Sequence, residues 1–194
     1  NEDETVWITF NGAVYNYLEL RQELLQRGHK IKTYSDTEVI IHAYEEYGEN
    51  CVDKFNGMFA FVIWDSRRKQ IFAARDRFGV KPFYYYSDSD KFIFASEIKA
   101  ILATGLVNKE VNYDGIKDYI VFQFTLGEKT LFKDIKKLDP GHWLKIDLNQ
   151  GMEVTIQQYW DLKFNYDTYH TEDYFVDKLM FLLSDATKIR LRSD

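Results

Sequence analysis

The run Gly57-Met58-Phe59-Ala60-Phe61-Val62-Ile63-Trp64 constrains the fold more tightly than any other part of the chain. It carries no charged side chain, and a strand so evenly apolar must be covered on both faces. Its partner is close by. Residues 65–69 read as a charged turn, and residues 70–75 return as a second strand. The surrounding segments supply the cover. Residues 15–27 place Leu18, Leu24 and Leu25 on one side of an amphipathic helix, ended by Gly28. Residues 37–47 repeat the pattern with Val39, Ile40, Ala43, Tyr44 and Tyr47, stopped by Gly48. Ser35 or Asp36 would cap this second helix, with Glu38 completing a capping box from three residues after Ser35.

Further elements follow the same logic. Residues 5–10 form a β-rich run that Asn11-Gly12 is expected to break with a tight turn. Residues 83–86 and 91–95 flank Ser87-Asp88-Ser89-Asp90 as a hairpin. Short helices are predicted at 97–102 and 114–122, strands at 142–146 and 153–159, and a last amphipathic helix from the cap Thr171 to Arg190. The polar stretch 163–170 is the best domain boundary. Helices, then strands, then helices is an α+β order.

Composition narrows the function. Hydrophobic residues at 45% and aromatics at 17% support a sizeable core. A net charge of -6 argues against a dedicated nucleic-acid or anionic-membrane surface. No apolar run approaches the ~20 residues that span a bilayer. One cysteine rules out an internal disulfide and fits a reducing, cytoplasmic setting.

Neither a G-x-x-x-x-G-K-[ST] phosphate loop nor a G-x-G-x-x-G fingerprint occurs. His29, His42, His142 and His170 are scattered with no i, i+4 pair, so no metal site is expected. Cys51 has acidic neighbours that raise a thiol pKa, and reads as a small packing residue. Asn11-Gly12 could be a plain turn, or an amide and a backbone N–H converging on one oxygen as an oxyanion hole does. Arg75-Asp76-Arg77-Phe78-Gly79-Val80-Lys81-Pro82 reads as a loop held by local ion pairs.

Taken together, several segments resemble the class II glutamine amidotransferases. Phe10-Asn11-Gly12-Ala13-Val14-Tyr15-Asn16 is similar to their F-N-G-E-I-Y-N, and Ser35-Asp36-Thr37-Glu38-Val39 matches S-D-T-E-V. Asn56-Gly57-Met58-Phe59-Ala60-Phe61, the Arg75–Pro82 loop, Phe94-Ala95-Ser96-Glu97-Ile98-Lys99, Asp139-Pro140-Gly141-His142 and Tyr159-Trp160 follow in the family's order. The wording R-F-G-V-K-P points to the asparagine synthetases within that class.

The resemblance implies a four-layer αββα N-terminal-nucleophile fold over residues 1–164, with residues 165–194 opening a synthetase domain. In that family an N-terminal cysteine attacks the glutamine amide, its own α-amine acting as base. The ammonia then amidates aspartate in the ATP- and magnesium-dependent domain. Asn11 and Gly12 would be the oxyanion donors, and Asp36 would hold the substrate's ammonium. The family's leading Cys-Gly segment and its carboxylate-binding arginine segment are expected to precede Asn1. Leu191-Arg192-Ser193-Asp194 matches the words before the family's S-G-G-x-D-S pyrophosphate loop. An incomplete fold is therefore expected, inactive alone, with an open sheet edge through which it could form a homodimer. Ala13 stands where the family has a glutamate that helps hold the ammonium. A non-catalytic scaffold or partner-binding module is the alternative reading.

Overall fold

The computed structural model describes residues 1–192, so Ser193 and Asp194 of the last motif lie outside the described residues. β1 (Val6–Val14), β2 (Gly57–Asp65), β3 (Gln70–Arg75), β7 (His142–Asp147) and β8 (Val154–Gln158) form one antiparallel sheet in that order. A smaller sheet has the order β5 (Phe92–Ala95), β4 (Tyr84–Ser87), β6 (Lys136–Lys137). The helices are α1 (Tyr17–Gln26), α2 (Asp36–Tyr47), α3 (Cys51–Lys54), α4 (Ile98–Ala103), α5 (Tyr113–Phe122) and α6 (Glu172–Arg190).

Strand alternation sorts the core into layers. Phe59, Phe61 and Ile63 of β2 join Phe72 and Ala74 of β3 against Leu24, Val39, Ile40 and Tyr44 of α1 and α2. The intervening residues Ala60, Val62 and Ala73 face the other way, onto Phe83 and Tyr85 beside and within the small sheet. The small sheet's far face packs Tyr84, Tyr86 and Ile93 on Ile98 and Ile101 of α4. Helix, sheet, sheet and helix succeed one another, which is the expected αββα arrangement. β2 is covered on both faces, as its composition requires.

Three local expectations are corrected. Asn11-Gly12 makes no turn: β1 runs on to Val14, with Asn11 opposite Ala60 and Gly12 opposite Phe59. Gly12 is needed there for close approach instead. Its φ is +151°, and a Cβ would sit 2.1 Å from the Met58 carbonyl oxygen. The chain turns at Asn16, whose amide donates to Lys54 O at 2.9 Å and whose Oδ1 accepts from Asn56 N–H at 2.9 Å.

Ser35 does cap α2, its Oγ accepting from Thr37 N–H at 3.2 Å. Glu38, however, forms no capping box. Its carboxylate accepts the backbone N–H groups of Lys32 and Thr33, at 2.8 and 2.6 Å, and so ties down the approach to the helix.

The arginine-rich loop is held by side chain-to-backbone bonds, not by ion pairs. Arg75 donates to the carbonyls of Lys81, Leu138 and Gly79 at 2.7–2.8 Å. Asp76, only 1% exposed, accepts from the N–H groups of Phe59, Phe78, Val80 and Lys81 at 3.0–3.1 Å. Arg77 donates to the carbonyl of Phe55 at 2.5 Å. Carbonyls and N–H groups thus surround Arg75, Asp76 and Arg77, and each of these three charges is satisfied more than once.

The amphipathic expectation for α6 meets a different environment. Thr171 caps it as predicted, but Phe175, Leu179, Met180 and Leu183 are all exposed. Its end meets α1 through Arg192 on Glu19 at 2.6 Å, and Arg190 lies over the ring of Tyr15, just before that helix. No described helix is long and apolar enough to cross a membrane.

Candidate active site

β1 is the outermost strand of the large sheet, and its hydrogen-bond parity decides what it offers. Phe59 directs both backbone groups away from β1: its N–H goes to Asp76 Oδ2 and its carbonyl accepts from Asp76 N–H. Gly12, opposite Phe59, is therefore in a non-hydrogen-bonded pair, and its own N–H points off the free edge. Val14 shares that parity. Its N–H also points outward, and there it donates to Asp36 Oδ2 at 2.9 Å. Two of the predicted residues, Gly12 and Asp36, thus meet along one sheet edge.

Asn11 lies next to this edge on the face turned toward the small sheet. Its Nδ2 donates to Ser96 Oγ at 3.1 Å, and an amide nitrogen has a second proton to give. Asn11 and Ser96 border a cavity of about 290 Å³ between the two sheets, lined also by Thr9, Ala60, Val62 and Phe94. A larger hollow of about 520 Å³ near Asp88 and Lys136 holds none of the motif residues, so its size carries no functional weight.

Asp36 is the first residue of α2, where the helix dipole favours a negative charge. Its Oδ2 takes one backbone N–H, and its Oδ1 has only the long 3.4 Å contact with Thr37 Oγ1. Acceptor capacity remains for a cation. Ala13 follows on β1 and is 5% exposed, so the position that the resemblance assigns to a carboxylate is apolar and closed here.

Cys51 behaves as the packing residue that its sequence context suggests. It is fully buried in the cluster on the helix side of the large sheet, across that sheet from the cavity. Burial, followed by Glu49 and Asp53, pushes its thiol well above the ordinary range. Such a thiol is not a nucleophile.

Ser96 borders the candidate site, and the motif reading named it only as part of Phe94–Lys99. Its pairing with Asn11 spans 85 residues and has no local signal. His29 and His42 also come together, at 3.2 Å between their Nδ1 atoms, with Glu45 beside them. Sequence spacing looked for ligands on one helix, whereas His29 lies in the loop after α1 and His42 on α2.

An αββα sandwich with amide and N–H donors gathered at a sheet edge is the framework of the class II, N-terminal-nucleophile amidotransferases. Solved structures share it: the glutamine phosphoribosylpyrophosphate amidotransferase of B. subtilis aligns with 80% of this chain and 29% of its own, at TM-score 0.53 and 22% identity. The allosteric regulatory enzyme of purine biosynthesis aligns with 80% of this chain and 28% of its own, at TM-score 0.54 and 22% identity. The chain belongs to the glutamine amidotransferase domain family, whose profile matches residues 1–160. It is similar to two glutamine-hydrolysing asparagine synthetases of Bacillus subtilis, 1 and 3, at 38% and 40% identity over 100% and 98% of this chain. It is also 33% identical, over its whole length, to the amidase chyE of Penicillium rubens. The chain spans 30%, 31% and 28% of the lengths of these three relatives.

Proposed function

We propose that residues 1–164 are the glutamine-side domain of a glutamine-hydrolysing asparagine synthetase, and that residues 165–194 begin its synthetase domain. The observation that carries the reading is the shared sheet edge, where Gly12 N–H is turned outward beside Asn11 and Asp36. Asn11 and Gly12 would hold the oxyanion that forms when a thiolate attacks the glutamine side-chain amide. Asp36 would hold the substrate's α-ammonium. The ammonia released would amidate aspartate, with ATP and magnesium, in the remainder of a synthetase of the relatives' length.

ATP meets no Gly-rich phosphate loop in this sequence, and magnesium meets no fitting ligand set among the described residues. Magnesium wants oxygen ligands. The one group of three or more convergent metal-ligand side chains among the described residues has two imidazoles.

Buried Cys51 leaves the chain without a competent thiol at the site. The 194-residue chain alone should release no ammonia from glutamine above a buffer blank. A synthetase of full relative length that contains it should do so. Ammonia release by the chain alone would contradict the placement of the nucleophile outside it. A full-length protein that makes asparagine from ammonia and never from glutamine would favour the scaffold reading, for which the closed, apolar Ala13 position speaks.

Ala13 gives a second expectation. One missing charge-assisted hydrogen bond to an ammonium is worth roughly 1.5–3 kcal/mol, or about 10- to 150-fold in affinity. Ala13→Glu in the full-length enzyme should lower the glutamine KM by that factor with kcat little changed. An unchanged KM means that Asp36 suffices and that position 13 is not part of the ammonium site.

A further inference from the structure

We propose that His29, His42 and Glu45 form a binding site for a divalent transition-metal ion such as zinc, on the helix side of the sheet and separate from the glutamine site. His29 Nδ1 is 3.2 Å from His42 Nδ1, Glu45 Oε2 is 2.9 Å from His42 Nδ1, and it is 3.9 Å from His29 Nδ1. Ligands of a tetrahedral zinc at 2.0–2.1 Å stand about 3.3–3.4 Å from one another. The triangle therefore brackets that spacing, with no ligand atom needing to travel far.

The tautomers carry the argument further. His29 Nε2 lies 3.0 Å from Glu46 Oε2, an acceptor, so that nitrogen holds the ring's proton and Nδ1 presents a lone pair. His42 is fully buried, and its Nε2 has no hydrogen-bond partner; the nearest carboxylate, Glu38 Oε1, stands 3.9 Å away. A proton on Nε2 faces Glu38 and leaves Nδ1 bare as well. Three lone pairs, from two imidazoles and a carboxylate, then converge with no donor among them. A proton on Nδ1 instead leaves Nε2 bare, buried and opposite a carboxylate. Neither neutral form of His42 is satisfied, and the site calls for a cation.

Two of the three ligands are backed from behind, as metal ligands are. His29 leans on Glu46, and Glu45 Oε1 accepts from the Asn1 amide at 2.6 Å. Glu2 Oε2, 3.9 Å from His42 Nδ1, marks the side on which a fourth ligand, carboxylate or water, would complete the shell. Two imidazoles and a carboxylate suit zinc and its neighbours over magnesium or calcium. Such an ion would tie the loop after α1 to the middle of α2, the helix whose first residue is Asp36.

The test uses the purified 194-residue chain, stripped with a chelator and titrated with cobalt(II) or zinc(II). Cobalt should give the visible absorption bands of a tetrahedral complex, saturating at one equivalent, and zinc should displace it. Zinc should also raise the melting temperature of the stripped chain. His29→Gln, at a partly exposed position, should weaken zinc binding by at least about 10-fold, and Glu45→Gln should do the same. His170→Gln, beside the exposed Asp167, should leave it unchanged. His42→Gln is not needed, since a buried variant could fail to fold. Binding that is absent or far from stoichiometric would overturn the proposal in favour of a plain His42–Glu45 hydrogen bond. Binding that His29→Gln leaves intact would overturn it in favour of a surface site.

Discussion

Asp76→Ala should lower the folding stability of this chain by about 3–5 kcal/mol, read as a melting temperature lower by roughly 6–20 °C. The side chain is 1% exposed and its two oxygens accept four backbone N–H groups. Two effects oppose each other. Removing a buried carboxylate relieves its own desolvation, which alone would stabilise. Against that, the donors it satisfied lose their acceptor, each at about 1–3 kcal/mol where water cannot reach. Phe78 and Val80 are exposed, so water can replace the carboxylate at their N–H groups. Phe59 is completely buried, and its N–H has no such recourse. The unsatisfied donors win, because the carboxylate joins two separate stretches of chain, β2 and the loop from Phe78 to Lys81. Asp76→Asn should fare little better, since it sets an NH2 group against two of the same donors. The exposed Asp114→Ala, which breaks only a surface pair with Lys117, should leave the denaturation curve close to that of the unchanged chain. Equilibrium denaturation of the three variants decides the matter; a loss below 1 kcal/mol for Asp76→Ala would mean that the loop re-forms its bonds without the carboxylate.

The same residue shows where sequence reading stops. The charges of the Arg75–Lys81 loop were visible as charges, and like any such cluster suggested ion pairs. Their true partners are backbone groups brought close by the fold: Leu138 lies 63 residues from Arg75. Elements with a strong local period were legible. β2 and the helix capped at Ser35 came from patterns that propensity and burial jointly enforce, and the helix from Thr171 from its cap and propensity alone. β6 has two residues and no period to detect. Asn11-Gly12 misled because its turn preference is local, while pairing with Ala60 and Phe59 is tertiary and prevails. For the candidate site, the motifs named Asn11, Gly12 and Asp36, and the backbone parity of β1 places all three along one sheet edge. The His29–His42 pair stayed hidden, 13 residues apart across a loop, because spacing along one helix is the only metal signal that short-range reading can use.

Asn11→Ala, made in a full-length synthetase that contains this chain, should reduce glutaminase kcat by about 10²–10³-fold with the glutamine KM little changed. The expectation follows from where charge develops. Ground-state glutamine presents a neutral amide carbonyl, to which a hydrogen bond is worth little beyond what water offers. The tetrahedral intermediate presents a full oxyanion, and a fixed donor beside it is worth about 2.7–4 kcal/mol. Asn11 is built to be fixed: its backbone is locked in β1 opposite Ala60, and one proton of its amide is committed to Ser96 Oγ. That leaves the second proton aimed by two constraints, next to a Gly12 N–H that no side chain can obstruct. Ser96→Ala removes one of the two constraints but neither donor, so it should cost less than about 10-fold. Ammonia-dependent asparagine formation, which bypasses the oxyanion, should be untouched in both variants. If Asn11→Ala instead raised KM and left kcat alone, Asn11 would be a ground-state contact and the oxyanion would have to be held elsewhere. If ammonia-dependent activity fell in parallel, the change would have disturbed the packing between the two sheets, and melting curves of the same variant would reveal it.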